Sequence, residues 1–235
     1  MQTNDNIYTR TEMLLGIEAV AKLRASRVIV FGVGGVGGYA VEALVRAGVG
    51  KIALVDHDRV SVTNINRQII ATESTVGLYK VEAMKDRILD INPSAEVIPL
   101  PLEYNEASAD VFNLTDYDLV LDCIDSVKSK IHLILSAKRG GVPIISSMGA
   151  GRRLDPTRFR ITDISKTHTD PLAKAVRVGL RKAGVNSLTV VFSDEEPLPP
   201  SPSGVPASIS FVPGSAGLVM ASEAVKVLTS SAEER

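Results

Sequence analysis

The chain has 235 residues, of which 45% are hydrophobic and 4% aromatic, and it contains no Trp. A formal net charge of −1 excludes a protein that binds nucleic acid through its overall charge. The single cysteine, Cys123, excludes an internal disulfide and a paired-cysteine zinc site, so no zinc is expected.

The elements follow in chain order. Residues 11–24 read as a helix with Leu14, Leu15, Ile17, Val20 and Leu23 apolar, and Val28–Phe31 as a short buried strand. Val36–Ala47 reads as a helix stopped by Gly48, and Ile52–Val55 as a second strand. Leu78–Ile91 is a helix ended by Asn92-Pro93. Val97–Leu100 and Leu119–Asp122 are strands, residues 126–139 a helix, and Pro143–Ser147 a fifth strand. Further on, strands are expected around Phe159 and Ile161 and over Leu188–Phe192, with helices over Pro171–Lys182 and Ser215–Leu228. Clustered prolines make 194–206 a loop, and the tail after 229 is expected to be loose.

Strands alternating with helices predict an α/β, Rossmann-like, mostly parallel sheet with helices on both faces, extended by a less regular C-terminal half. We expect one domain over 1–235: a helical arm (1–26), a Rossmann-like part (27–150) and a less regular C-terminal part (151–235). No basic-then-apolar leader opens the chain and no uncharged apolar run reaches the ~18–20 residues of a membrane span, so a cytoplasmic protein with no membrane contact is expected.

The chemistry gathers at strand ends. Gly32, Gly34, Gly35 and Gly37 place four glycines in six residues between a strand and a helix, a turn that lets backbone approach phosphates. Such a turn alone does not choose NAD over ATP. Asp56 ends the second strand, where a ribose-binding acid sits in such folds, and Asp58 follows as a supporting acid. Asn64 and Arg67 lie in the polar loop Thr-Asn-Ile-Asn-Arg-Gln. A guanidinium there suits an enzyme that attacks the α-phosphate of ATP, because charge develops on the phosphates as pyrophosphate leaves. Lys80 opens the next helix as a second candidate phosphate contact. Asp122 and Asp125 follow a buried strand; Asp125 is a candidate Mg²⁺ ligand or a helix cap, and Asp122 a metal ligand or the residue that orients the loop. Cys123, between two aspartates, reads as a core residue rather than a nucleophile. The three histidines show no ligand spacing.

Residues 152–182 contain nine Lys/Arg against three acids, a local +6 that leaves −7 on the rest of the chain. Arg152, Arg153, Lys174, Arg177 and Arg181 are the candidate contacts to a nucleic-acid phosphate backbone, the last three at one-face spacing on a helix. A solvated helix face is the alternative.

Taken together, Gly-Val-Gly-Gly-Val-Gly, Asp-His-Asp-Arg-Val…Asn-Ile-Asn-Arg-Gln, Val76-Gly-Leu-Tyr-Lys80 and Leu-Asp122-Cys-Ile-Asp125 resemble the ubiquitin-activating-enzyme-like adenylyltransferases. The resemblance covers about 10–150 plus Phe211-Val-Pro…Gly217-Leu-Val. It implies ATP and Mg²⁺, with Asp56 on the ribose, Asn64, Arg67 and Lys80 on the phosphates and Asp125 on the metal. It also implies a homodimer, with Arg10 reaching the partner's ATP. Residues 146–178, with Leu-Asp155-Pro-Thr and Ile161-Thr-Asp163-Ile-Ser-Lys166, look like the tRNA threonylcarbamoyladenosine dehydratases. That narrower likeness implies activation and ring closure of a modified tRNA adenosine next to the anticodon, and leaves room for a sulfur-relay protein partner. The other classes are an activator of a ubiquitin-like sulfur carrier ending in Gly-Gly, a nicotinamide oxidoreductase, and a non-catalytic ATP-binding scaffold.

Overall fold

The computed structural model describes residues 6–200, 202 and 206–230. Much of the proline-rich loop is therefore visible, but residues 201 and 203–205, and the tail from 231, lie outside the described residues.

One seven-stranded sheet runs through the molecule: β1 (Arg27–Phe31), β2 (Lys51–Val55), β3 (Glu96–Leu100), β4 (Leu119–Asp122), β5 (Ile144–Ser147), β6 (Phe159–Asp163) and β7 (Thr189–Ser193). The order is β3-β2-β1-β4-β5-β7-β6, and only β6 runs antiparallel to its neighbour. The α/β, mostly parallel expectation holds. Alternation along β1 explains the two layers. Val28 and Val30 face one apolar cluster with residues of the helices α3 (Gly37–Ala47), α4 (Lys80–Ile91) and α7 (Phe211–Thr229). Ile29 and Phe31 face a second, with α5 (Val127–Arg139) and α6 (Pro171–Lys182). Strands covered on both faces need apolar residues at every position, which is why β1, β2 and β4 are apolar runs. Pro99 is tolerated in β3 because that strand is at the edge.

Two boundaries differ from the sequence reading. The N-terminal helix is two helices, α1 (Thr9–Leu15) and α2 (Ile17–Ala25), broken at Gly16 with φ 88°. Only Val20 and Leu23 of the expected apolar face are buried; Leu14 and Ile17 are 82% and 73% exposed, and Met13 is 76% exposed. Helix α7 starts at Phe211, four residues early, because Pro213 falls in the first turn, where its missing N–H costs no bond. By length and composition α7 could cross a membrane, yet half of its most apolar window is buried, and Val212, Ala216, Met220, Ala224 and Leu228 belong to the core.

Strand order reverses between β1 and β4, and there a crevice forms at the carboxyl ends of the strands. The turn after β1, the end of β2 and the loop after β4 open into it together.

Candidate nucleotide site

The four glycines do different things. Gly32 has φ +89°, and a Cβ there would lie 2.7 Å from the Cys123 carbonyl oxygen on the neighbouring β4 loop. A Cβ on Gly37 would run into the Gly32 carbonyl, so Gly37 is what lets α3 start tight against the turn. Gly34 and Gly35 line the cavity; Gly35 leaves 3.1 Å to Pro213 of α7, so the turn is clamped from behind. Gly37 supports the cavity without lining it.

Asp56 fixes the turn to β2. Its Oδ2 accepts from the Val33 amide at 2.8 Å and its Oδ1 from the Asp58 amide at 2.9 Å. Lone pairs remain on both oxygens for further donors. Lys80, at the first position of α4, is buried and donates to Asp58 Oδ2 at 2.6 Å, with Asp56 Oδ2 at 3.9 Å. Partial burial pushes the Asp58 carboxyl up, but the Lys80 hydrogen bond and charge outweigh it and hold it below the usual carboxylate range. Lys80 therefore sits as an ion pair at the cavity wall.

The loop after β2 is tied by its own polar groups. Asn64 Oδ1 accepts from the Ser61 amide at 3.1 Å, and Asn66 Nδ2 donates to the Ser208 carbonyl at 3.1 Å. Arg67 Nη1 donates to the Thr63 carbonyl at 2.9 Å and to Asn66 Oδ1 at 2.8 Å. Gly32, Gly34, Gly35, Asp56, Asp58, Asn64, Arg67, Lys80 and Asp125 all line one cavity of about 610 Å³. Asp125 is exposed at the mouth, and its carboxylate has no hydrogen-bond or ion-pair partner among the described residues. Cavities of this volume with few polar groups converging are typical of small-molecule sites.

The ThiF family profile matches residues 8–235. The chain belongs to the ThiF family. It is 46% identical to a tRNA threonylcarbamoyladenosine dehydratase of Bacillus subtilis, over 96% of each chain. The dehydratase of Escherichia coli is 41% identical over 73% of this chain, which spans 64% of that relative. The molybdopterin-synthase adenylyltransferase of E. coli is 33% identical, over 94% of this chain and 81% of that one. Among solved structures, the E. coli tRNA N6-threonylcarbamoyladenosine dehydratase in complex with ATP superposes with a TM-score of 0.90 at 35% identity, covering 97% of this chain and 96% of that one.

Behind the cavity of this ThiF-family chain lies a buried charge pair. Lys130 Nζ donates to Asp122 Oδ2 at 2.8 Å, to Ser146 Oγ at 3.2 Å and to the Ser147 carbonyl at 3.0 Å. Asp122 Oδ2 also accepts from Ser146 Oγ at 2.6 Å, and its Oδ1 from the Ile124 amide at 3.1 Å. Asp122 is fully buried and accepts from three donors, which makes it the residue that orients the loop. The network ties the loop after β4 to the end of β5, and both line the cavity.

Cys123 is half-buried as a residue, but its thiol is enclosed, 3.6 Å from Met220 Sδ. Burial first, then the Asp122 charge, push its pKa up to about 12. A thiol is raised when the thiolate is disfavoured, so the native protein keeps it protonated across the range in which an unfolded cysteine ionises. Iodoacetamide at pH 8 is expected to leave native Cys123 unmodified and to alkylate it on denaturation. Fast alkylation of the native chain, read by intact mass, would contradict this environment.

The basic segment does not form one face. Arg153, expected as a tRNA contact, is 3% exposed; its Nη2 pairs with Asp170 Oδ2 at 3.1 Å, and Asp170 also caps α6 and accepts from the Gly149 amide. Buried charges stay paired, which removes Arg153 from the surface. Arg177 is half-buried and donates to the Thr167 carbonyl and hydroxyl. Arg152 is half-buried and donates to the Leu198 carbonyl at 2.8 Å, on the proline-rich loop. Lys174 and Arg181 are exposed. Arg10 is exposed on α1 and does not line this chain's own cavity.

Sequence reasoning left out Leu102, Tyr104, Ile124 and Ser147–Gly151, which also line the cavity. Their signal was positional: each lies at or just after the carboxyl end of a strand.

Proposed function

We propose that this chain uses ATP to adenylate the carboxylate of threonylcarbamoyladenosine in tRNA and then closes that group into a ring. The observation that carries the proposal is the cavity in which Arg67, Lys80 and Asp125 meet the glycine turn and Asp56. Similarity to a dehydratase along nearly the whole chain supports the choice of substrate.

On this reading Asp56 accepts from the ribose hydroxyls with its remaining lone pairs. The turn amides and the start of α3 face the phosphates. Asn64, Arg67 and Lys80 hold the β- and γ-phosphates, with Lys80 bridging between Asp58 and the nucleotide. Asp125 fits Mg²⁺: one unpaired carboxylate beside phosphate oxygens and water is a normal donor set for that ion. When bound, Mg²⁺ would neutralise charge on the phosphates.

The substrate carboxylate forms a bond to the α-phosphorus and pyrophosphate leaves. Arg67 and Lys80 are already in place where negative charge grows, so little reorganisation is needed. The carbamoyl group of the same substrate then attacks the activated carbonyl, loses a proton, and AMP departs with one carboxylate oxygen. The net change is loss of one water from the nucleoside. Because the second nucleophile is intramolecular, proximity supplies much of its advantage. No acceptor thiol is required, in keeping with the enclosed Cys123.

Residues 1–235 act as one adenylation unit in this account, and a second copy covers the apolar surface of Met13, Leu14 and Ile17, which would bring Arg10 toward the partner's nucleotide. Of the five candidate contacts, Lys174 and Arg181 are the exposed ones, free to meet the tRNA backbone. Incubation of modified tRNA with ATP and Mg²⁺, digestion and mass spectrometry test the proposal: a nucleoside lighter by one water is expected. An unchanged nucleoside would favour carrier proteins ending in Gly-Gly, which the 33% identity to the molybdopterin-synthase adenylyltransferase makes the second reading.

A further inference from the structure

With the ribose at the end of β2 and the phosphates at the turn after β1, the strand order leaves the end of β5, on the far side of β4, to the group that is adenylated. Gly149, Ala150 and Gly151 after β5, and Leu172 of α6, line the cavity on that side. One buried ion pair holds them. Asp170 is 3% exposed, and its Oδ2 accepts from the Gly149 amide at 2.9 Å and from Arg153 Nη2 at 3.1 Å. Its Oδ1 accepts from the Leu172 and Ala173 amides at 2.8 and 3.1 Å. Arg153, equally buried, also donates from Nη1 to the Gly151 carbonyl at 3.3 Å. Only glycine fits at 149 without a shift, because a Cβ would lie 3.1 Å from both Asp170 oxygens and 3.3 Å from Arg153 Nη1.

The arrangement is kept against two unfavourable terms. Arg153 Nε is enclosed and has no hydrogen-bond partner. Arg152 (φ 59°) and Thr169 (φ 54°), each next in sequence to a member of the pair, are the non-glycine residues with left-handed backbone among the described residues. Such backbone persists where its surroundings enforce it, and it clusters at functional sites. Arg152 is enforced from both sides: its amide donates to the Ala207 carbonyl at 2.8 Å and its carbonyl accepts from the Leu198 amide at 2.7 Å. The Gly149 and Arg152 amides are thus spent, whereas the Ala150 and Gly151 amides between them have no partner among the described residues.

We infer that Arg153 and Asp170 are a positioning pair, which holds the Gly149–Gly151 loop so that the Ala150 and Gly151 amides meet the carboxyl group being adenylated. The inference rests on the adenylation reading of the cavity. A carboxylate is an acceptor at both oxygens, and after one oxygen has bonded to phosphorus the other remains a carbonyl acceptor, so the same two donors suit both states. During ring closure negative charge builds on that carbonyl oxygen, where amides fixed in advance stabilise it. Arg153 and Asp170 act through the loop and do not touch the substrate.

The test uses the full-length protein with Arg153→Met and Asp170→Asn, singly and together. Arg153→Met leaves Asp170 its three backbone amides. Asp170→Asn keeps an oxygen to cap α6 but sets a donor against the Gly149 amide, so the loop loses its anchor. Sulfamoyladenosine and its N-acetyl derivative, a stable mimic of an acyl adenylate, differ only in the acyl group. The wild-type protein should prefer the acylated ligand about 10-fold, and each variant should lose that preference while binding sulfamoyladenosine as the wild type does. The kcat for pyrophosphate release with modified tRNA should fall about 100-fold, with KM for ATP unchanged. The double variant strands no charge, so its melting temperature should return toward wild type while its rate and its ligand preference stay low. A rate that recovers in step with the melting temperature makes the pair merely structural and overturns the inference. Absence of the acyl preference in the wild type overturns it too, as does its survival in the double variant. If the wild-type protein releases no pyrophosphate with modified tRNA, the proposed substrate is wrong, and the comparison of the two adenosine ligands still decides the role of the loop.

Discussion

Replacing Arg67 by Ala is expected to slow adenylation by about 10²–10³-fold while leaving the melting temperature close to wild type. Arg67 is half-buried in a loop, and among the described residues its side-chain bonds are to Thr63 and Asn66 of that same loop. No ion pair among the described residues is lost with it. What is lost is a planar fork of donors held beside the glycine turn, already oriented before pyrophosphate charge develops. Arg67→Lys should recover only part of the rate, because an ammonium restores charge but not the paired geometry. Pyrophosphate release under saturating ATP measures both variants. A folded Arg67→Ala enzyme with near-normal turnover would remove Arg67 from the mechanism.

The largest stability effect is expected at Lys130. Both Lys130 and its partner Asp122 are fully buried. Lys130→Met would leave a carboxylate in the core with only Ser146 and one backbone amide for company. Removing one member of a buried pair costs about 3–5 kcal/mol. For a chain of this size that corresponds to a drop on the order of 10 °C in melting temperature. Asp122→Asn in the same background should return much of the loss, since the uncompensated charge is gone. The double variant separates the two explanations: if it is no more stable than Lys130→Met, lost packing rather than stranded charge is responsible. Nucleotide affinity should fall with the single variant as well, because the network holds the loops after β4 and β5 that form two sides of the cavity.

Periodicity and strand-end logic carried the sequence reading far. The apolar runs at 28–31, 52–55 and 119–122 became the central strands, and the glycine turn, Asp56, Arg67, Lys80 and Asp125 met in one cavity because parallel strands deliver their carboxyl ends to the same edge. The failures share a cause: they depend on partners distant in sequence. Arg153 looked like one more surface cation in a basic stretch, and only the fold brings Asp170 against it. The helix break at Gly16 leaves Leu14 and Ile17 pointing to solvent, which an apolar pattern alone reads as core. Leu102, Tyr104 and Ile124 carry no motif; they become lining residues only once β3 and β4 are placed beside the turn.

The most direct test of the account is pyrophosphate release from ATP and Mg²⁺ with bulk tRNA carrying threonylcarbamoyladenosine, run beside the same tRNA lacking that modification. The account predicts release with the modified tRNA alone, and with it a nucleoside one water lighter. Equal release with both tRNAs, or none with either while ATP still binds, would contradict it.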